Sequence, residues 1–130
     1  MSRLFIIVAA MALVTRVFAA THIPAPTGHV NDFAGVLSSV EKQSLEETLV
    51  TYKESSKNEI AVILIRSLDG DTVENGAVRI FEEWKIGDKE KDNGVLFLAA
   101  IEDRKMRIDV GYGAGAEPFL TDGEAGEILR

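Results

Sequence analysis

Ile60 to Ile65 are six consecutive apolar residues, four of them β-branched. An amphipathic strand would alternate apolar and polar side chains and bury one face. A short run with no polar break suits a strand buried on both faces. Such a strand needs cover on each side, and helices are the usual cover. Val95 to Ile101 form a second run of this kind. Between them, Val73, Ala77, Ile80, Phe81 and Trp84 recur at helical period and predict a helix with one core-facing stripe. Strand, helix, strand predicts a parallel crossover. After a turn at Glu102-Asp103-Arg104-Lys105, Met106, Ile108 and Val110 alternate with Arg107 and Asp109. That pattern is a half-exposed strand, and the short turn makes it the antiparallel partner at the sheet edge. The expected fold class is α/β: a three-layer α/β/α sandwich around a small mixed sheet, with a parallel βαβ unit plus an antiparallel edge hairpin, Rossmann-like in organisation.

Further helix signals flank this centre. Ser38 stands three residues before Glu41, the capping-box spacing, and Leu45, Leu49 and Tyr52 follow on one face. Lys57-Asn58 should break that helix. Asp71 and Glu74 have cap spacing for the second helix, and Gly87 is placed to end it. Thr121 and Glu124 have cap spacing for a third, about two turns before Arg130. Residues 20–30 read as an extended lead-in, because Pro24 and Pro26 oppose a helix there.

The first nineteen residues differ from the rest. Arg3 precedes an almost wholly apolar stretch from Leu4 to Val14, and Val17-Phe18-Ala19 follows with small or short residues at the positions a signal peptidase reads. Residues 1–19 are therefore expected to be a signal peptide, cut after Ala19. The apolar run is shorter than the roughly 20 residues a spanning helix needs, and no later stretch is long enough, so no transmembrane segment is expected after cleavage. The product would be exported, to a periplasm or the extracellular space, or to the thylakoid lumen in a plastid. Removing residues 1–19 deletes two arginines and no acid, leaving 12 basic against 21 acidic residues, a formal charge of −9. Such a chain repels nucleic acid and anionic lipid and attracts cations. Cysteine is absent, which excludes disulfides, thiolate metal sites and thiol nucleophiles.

Motifs for catalysis are weak. Gly111-x-Gly113-x-x-Ala116 has dinucleotide-fingerprint spacing, but it follows an edge strand and no helix opens directly behind it. Asp88-x-Glu90-x-Asp92 lacks the glycine and the distal glutamate of an EF-hand. No Gly-x-Ser-x-Gly is present, and His22 and His29 have no partners at useful spacing, so no catalytic residue is assigned. Oxygen ligands are another matter. The topology brings Asp92, Asn93, Glu117 and Asp122 towards one end of the sheet. It brings Asp32, Asp69, Asp71, Glu102 and Asp103 towards the other, and sequence does not choose between the ends. Carboxylates on flexible loops suit a hard cation, with calcium favoured over magnesium.

The ordered set Val30 to Leu37, Trp84-Lys85-Ile86-Gly87, Asp92-Asn93-Gly94-Val95-Leu96, Asp103-Arg104-Lys105, Val110-Gly111-Tyr112-Gly113, Glu117 and Leu120-Thr121-Asp122 resembles the TPM-domain family. That family includes thylakoid-lumen phosphatase-like, photosystem II repair and bacterial exported proteins. The resemblance covers roughly residues 29–130, and the domain is taken as 31–130. It implies an α/β/α sandwich, export, and divalent-cation binding at loop acids. The matching positions are Asp32, Asp92, Asp103, Glu117 and Asp122, with Asn93 where some members carry a second acid. The family domain usually continues through a further helical region, so this chain reads as truncated at its C-terminus. Three functions are then in view. One is a calcium-binding accessory module in envelope or membrane-protein maintenance, ligating through Asp92, Asn93, Glu117 and Asp122, with Asp32 and Asp103 as second candidates. Another is a metal-assisted acid phosphatase in which Arg104 pairs with phosphate oxygens. The third is a metal-free protein-interaction domain.

Overall fold

A computed structural model describes residues 22–87, 93–111 and 127–129. The elements run β1 (Val30–Asp32), α1 (Ser39–Ser56), β2 (Glu59–Ile65), α2 (Val73–Trp84), β3 (Gly94–Ala100) and β4 (Lys105–Val110). The signal-peptide reading, Asp88 to Asp92, Glu117, Asp122 and the start of the expected third helix lie outside the described residues. Glu127 and Ile128 are helical.

Among the described residues, the strands form one four-stranded sheet in the order β1-β2-β3-β4. β1, β2 and β3 are parallel, and β4 pairs antiparallel with β3, as the two runs and the alternating strand predict. Register fixes the faces. Ala61, Ile63 and Ile65 lie opposite Leu96, Leu98 and Ala100, so these six share one face. They form a single buried cluster with Val73, Ala77 and Ile80 of α2, and with Leu68, Ile86 and Ile23. Phe33 and Trp84 pack edge-to-face at its margin, ring centroids 6.4 Å apart. The other face carries Val30, Leu64, Val95, Ala99 and Val110, all buried and all outside that cluster. α1 lies over the β1–β2 half of this second face, where Val30 lines a groove with Lys42 and Glu46. Helices on opposite faces of a central sheet make the three layers.

The local reasons are legible in most places. Ser38 caps α1 with a complete capping box: its hydroxyl accepts from Glu41 N, and Glu41 accepts from Ser38 N. Lys57, at φ 64°, ends the helix in the left-handed conformation.

Two expectations need correction. The cap of α2 is Thr72, whose side chain accepts from Asn75 N. Asp71 instead turns its carboxylate to Thr72 N, the Asn75 amide and Arg79. Asp71 and Glu74 had the right spacing one residue out of phase with the real cap. Gly87 does not end α2 either, since the helix stops at Trp84 and Lys85 takes the left-handed position at φ 51°. The extended lead-in also ends inside the sheet. Val30–Asp32 is a strand too short for any alternation to reveal it. Ile23, read as part of a mere lead-in, is buried in the main core.

Candidate functional site

Parallel strands give the sheet two chemically distinct ends. At the amino end, β2 and β3 begin and β4 finishes. Glu59 N donates to Asn93 O at 3.0 Å, and Gly111 N donates to Gly94 O at 2.9 Å. The Asn93 side-chain amide nitrogen donates to Lys57 O. Gly87 and Gly94 bring two backbone segments together here. A Cβ on Gly87 would sit 2.5 Å from Gly94 N, and one on Gly94 would sit 2.5 Å from Ile86 O. Gly87 also has φ +80°, so only glycine suits the place on both counts. Gly87 and Gly94 therefore lie against each other, backbone to backbone. The chain after Gly111 departs from the same point.

At the carboxyl end, two carboxylates hold loops. Asp32, the last residue of β1, accepts from the N–H groups of Gly35 (2.8 Å), Val36 (3.2 Å) and Leu37 (2.8 Å). Partial burial raises the pKa of this carboxyl, but the hydrogen bonds from Leu37, Val36, Gly35 and Ala34 outweigh it, and the net pKa falls below the ordinary value. Asp103, in the β3–β4 turn, reaches across to the segment after β2. It accepts from Ser67 Oγ at 2.9 Å and from Leu68 N at 2.7 Å. Next to it Arg104 is exposed, with its backbone left-handed at φ 53°. A pocket of about 310 Å³ opens at this end between Phe33, Ile65, Arg66, Ser67 and Glu102.

The sequence candidates are thus divided. Asn93 stands at the amino end and Asp32, Asp103 and Arg104 at the carboxyl end, so the six proposed ligands cannot form one site. A seven-residue strand separates the two groups, about 20 Å at the usual rise of a strand. Asp92, Glu117 and Asp122 lie outside the described residues. Among the described residues, no group of three or more His, Asp or Glu side chains is placed to hold a metal ion. Both oxygens of Asp32 and of Asp103 already accept hydrogen bonds, which makes each a loop clamp first. Asn93 turns its amide nitrogen to the Lys57 carbonyl.

Two polar residues that hold this framework escaped the sequence reading. Asn31 is 1% exposed. Its oxygen accepts from Thr27 N at 2.8 Å, and its nitrogen donates to Gly28 O at 2.9 Å. Glu46 of α1 accepts from His29 N at 2.8 Å and Val30 N at 2.7 Å, tying the helix to the outer strand. A Cβ on Gly28 would come within 2.9 Å of that carboxylate. A lone Asn between Val and Asp, or one Glu in a helix rich in Glu, gives no period to read. Only the fold shows which polar groups are enclosed.

Comparison with known proteins follows the same lines. The TPM-domain model matches residues 30–130. The N-terminal domain of a protein from P. gingivalis, solved by NMR, is 27% identical with a TM-score of 0.70, covering 79% of this chain and 64% of that one. The N-terminal domain of a protein from Corynebacterium glutamicum is 21% identical with a TM-score of 0.59, covering 82% and 65% respectively, and supports the fold alone. The chain therefore spans just under two thirds of each of these solved domains. No curated protein matches it. Among the described residues, no helix is long and apolar enough to cross a membrane. The family match spans most of the chain, from the first strand to the last residue, and the chain belongs to the TPM-domain family.

Proposed function

We propose that this TPM domain is an exported cation-binding module. It takes calcium in preference to magnesium at the amino end of the sheet, and serves as an accessory module in envelope or membrane-protein maintenance. Asp92, Asn93, Glu117 and Asp122 would supply the ligands. The observation that carries this reading is the shared base of two segments. Gly87 meets Gly94, and Gly111 N bonds to Gly94 O, so the acid-bearing stretches on either side of β3–β4 start from one point. A formal charge of −7 for the whole chain favours cation capture over anion capture. Carboxylate and amide oxygens are hard donors of the kind calcium accepts in irregular geometry.

The phosphatase reading keeps less support. Arg104, its one candidate for phosphate recognition, sits at the far end of β3 from Asn93. A cation held near Asn93 and a guanidinium about 20 Å away could not grip one phosphoryl group. Calorimetric titration of the chain from Ala20 onwards with calcium and with magnesium tests the proposal. Calcium binding abolished by Asp92→Ala and retained by Asp103→Ala supports it. No heat with either ion, or loss only in Asp103→Ala, overturns it. A phosphomonoesterase assay run alongside would support the enzyme only if turnover needs the metal and disappears with Asp92→Ala.

A further inference from the structure

The outermost strand carries a pattern that the metal site does not use. Among the described residues, β4 is the edge of the sheet, paired on one side only by β3. In antiparallel pairing, alternate residues direct their N–H and C=O to one neighbour. Gly111 N bonds to Gly94 O. That fixes Lys105, Arg107 and Asp109 as the residues bonded to β3, and leaves the backbone groups of Met106, Ile108 and Val110 facing outward. The same three residues carry the apolar side chains of β4, opposite Ala99, Phe97 and Val95. They lie on the sheet face away from α2, and α1 reaches only β1 and β2. Met106 is 53% exposed there. On the α2 face, Arg107 and Asp109 alternate with them, Nε to Oδ1 at 2.7 Å.

We propose that β4 is a self-pairing edge, and that its partner is β4 of a second copy of this chain, antiparallel about a two-fold axis at Ile108. In that register Ile108 meets Ile108 of the other copy and Met106 meets Val110. Those are the residues whose N–H and C=O groups face outward, so the two strands satisfy one another. Arg107 falls opposite Asp109 twice over. These are the closely spaced, non-hydrogen-bonded positions, where side-chain pairs interact most strongly. Apolar, basic, apolar, acidic, apolar is a sequence complementary to its own reverse, and an isologous interface requires such self-complementarity. The two sheets become one continuous sheet, and the apolar strip of β4 continues across the axis. An open edge of this kind invites pairing unless a charge or a proline blocks it on the outward positions, and β4 has neither there.

The test is sedimentation equilibrium of the protein obtained by expressing the full chain, over a concentration series, with variants. The wild type is expected to self-associate reversibly to twice the monomer mass. Asp109→Arg sets four like charges across the axis and should weaken association about tenfold or more while circular dichroism stays native. The double variant R107D/D109R restores opposite charges in both directions and should recover it. The chain has no cysteine, so Ile108→Cys alone reports the register. Cα atoms at a hydrogen-bonded antiparallel pair lie about 5.5 Å apart, within disulfide reach. Oxidation should link this variant and not Arg107→Cys. A wild-type monomer throughout, a swap that fails to rescue, or equal cross-linking at both positions would overturn the proposal.

Discussion

The two ends of the sheet use polar groups in opposite ways. At the carboxyl end, Asp32 and Asp103 spend their oxygens on backbone N–H groups and one hydroxyl. These acids shape loops, and each can be described without any ligand. At the amino end the framework is made by backbone contact, Gly87 against Gly94 and Gly111 bonded to Gly94. No carboxylate among the described residues braces that junction. Asp92, Glu117 and Asp122 lie outside those residues. An acid already committed to a loop is a poor ligand, because binding a metal would compete with the bonds it makes. The contrast teaches that carboxylate position alone is a weak guide, and that the existing partners of a carboxylate decide what it can do.

The largest effect should come from the amino-end junction. Gly87→Ala forces a side chain into left-handed backbone and against Gly94 N, and should destabilise the domain by about 3 kcal/mol. Chemical denaturation would show it as a lower midpoint at unchanged slope. Asn31→Ala comes next, at about 2 kcal/mol, since it removes an almost fully enclosed amide together with its bonds to Thr27 N and Gly28 O. A smaller cost, about 1 kcal/mol, is expected for Asp103→Ala, because Asp103 is itself exposed and water can reach its bonds to Ser67 and Leu68. Neither Asn31→Ala nor Asp103→Ala should create or abolish a preference for calcium over magnesium, so long as the variant still folds.

Asp32 gives a pH signature for the carboxyl end. Its folded-state pKa is lowered, whereas an unfolded aspartate titrates near 3.9. The unfolded chain therefore takes up the proton first as pH falls. The stabilisation from Asp32 is complete above about pH 4 and is lost as pH drops through the folded-state value. Comparing wild type with Asp32→Asn by denaturation across that range should show the difference shrinking towards acid. A difference that is constant with pH would mean that the carboxylate charge contributes nothing to holding the Gly35–Leu37 turn.

Much of this architecture was legible in the sequence because burial leaves periodic traces. The runs at Ile60 and Val95 identified strands covered on both faces, and the structure pairs them in parallel. The alternation from Met106 to Val110 identified the hairpin edge. Ser38 and Glu41 identified the start of α1, and the reciprocal bonds are both present. The failures share a cause. β1 has three residues, too few to alternate. Thr72 and Asp71 are both good caps, and spacing could not decide which residue leaves the helix. For the site, sequence supplied the acids and the topology that divides them between ends. It could not tell a clamp from a ligand, because the partners of Asp32 lie within a turn and those of Asp103 lie 35 and 36 residues away.

Thermal melting of the chain from Ala20 onwards in EDTA, magnesium and calcium, for wild type, Asp92→Ala and Asp32→Ala, tests the division between the two ends most directly. A ligand that binds only the folded state raises stability by about 2.7 kcal/mol at a hundredfold excess over its dissociation constant. The account predicts that calcium raises the midpoint of wild type and of Asp32→Ala, the latter from a lower start, and leaves Asp92→Ala unmoved. A calcium response that survives in Asp92→Ala and vanishes in Asp32→Ala would contradict it, as would a cooperative melt indifferent to calcium in all three proteins.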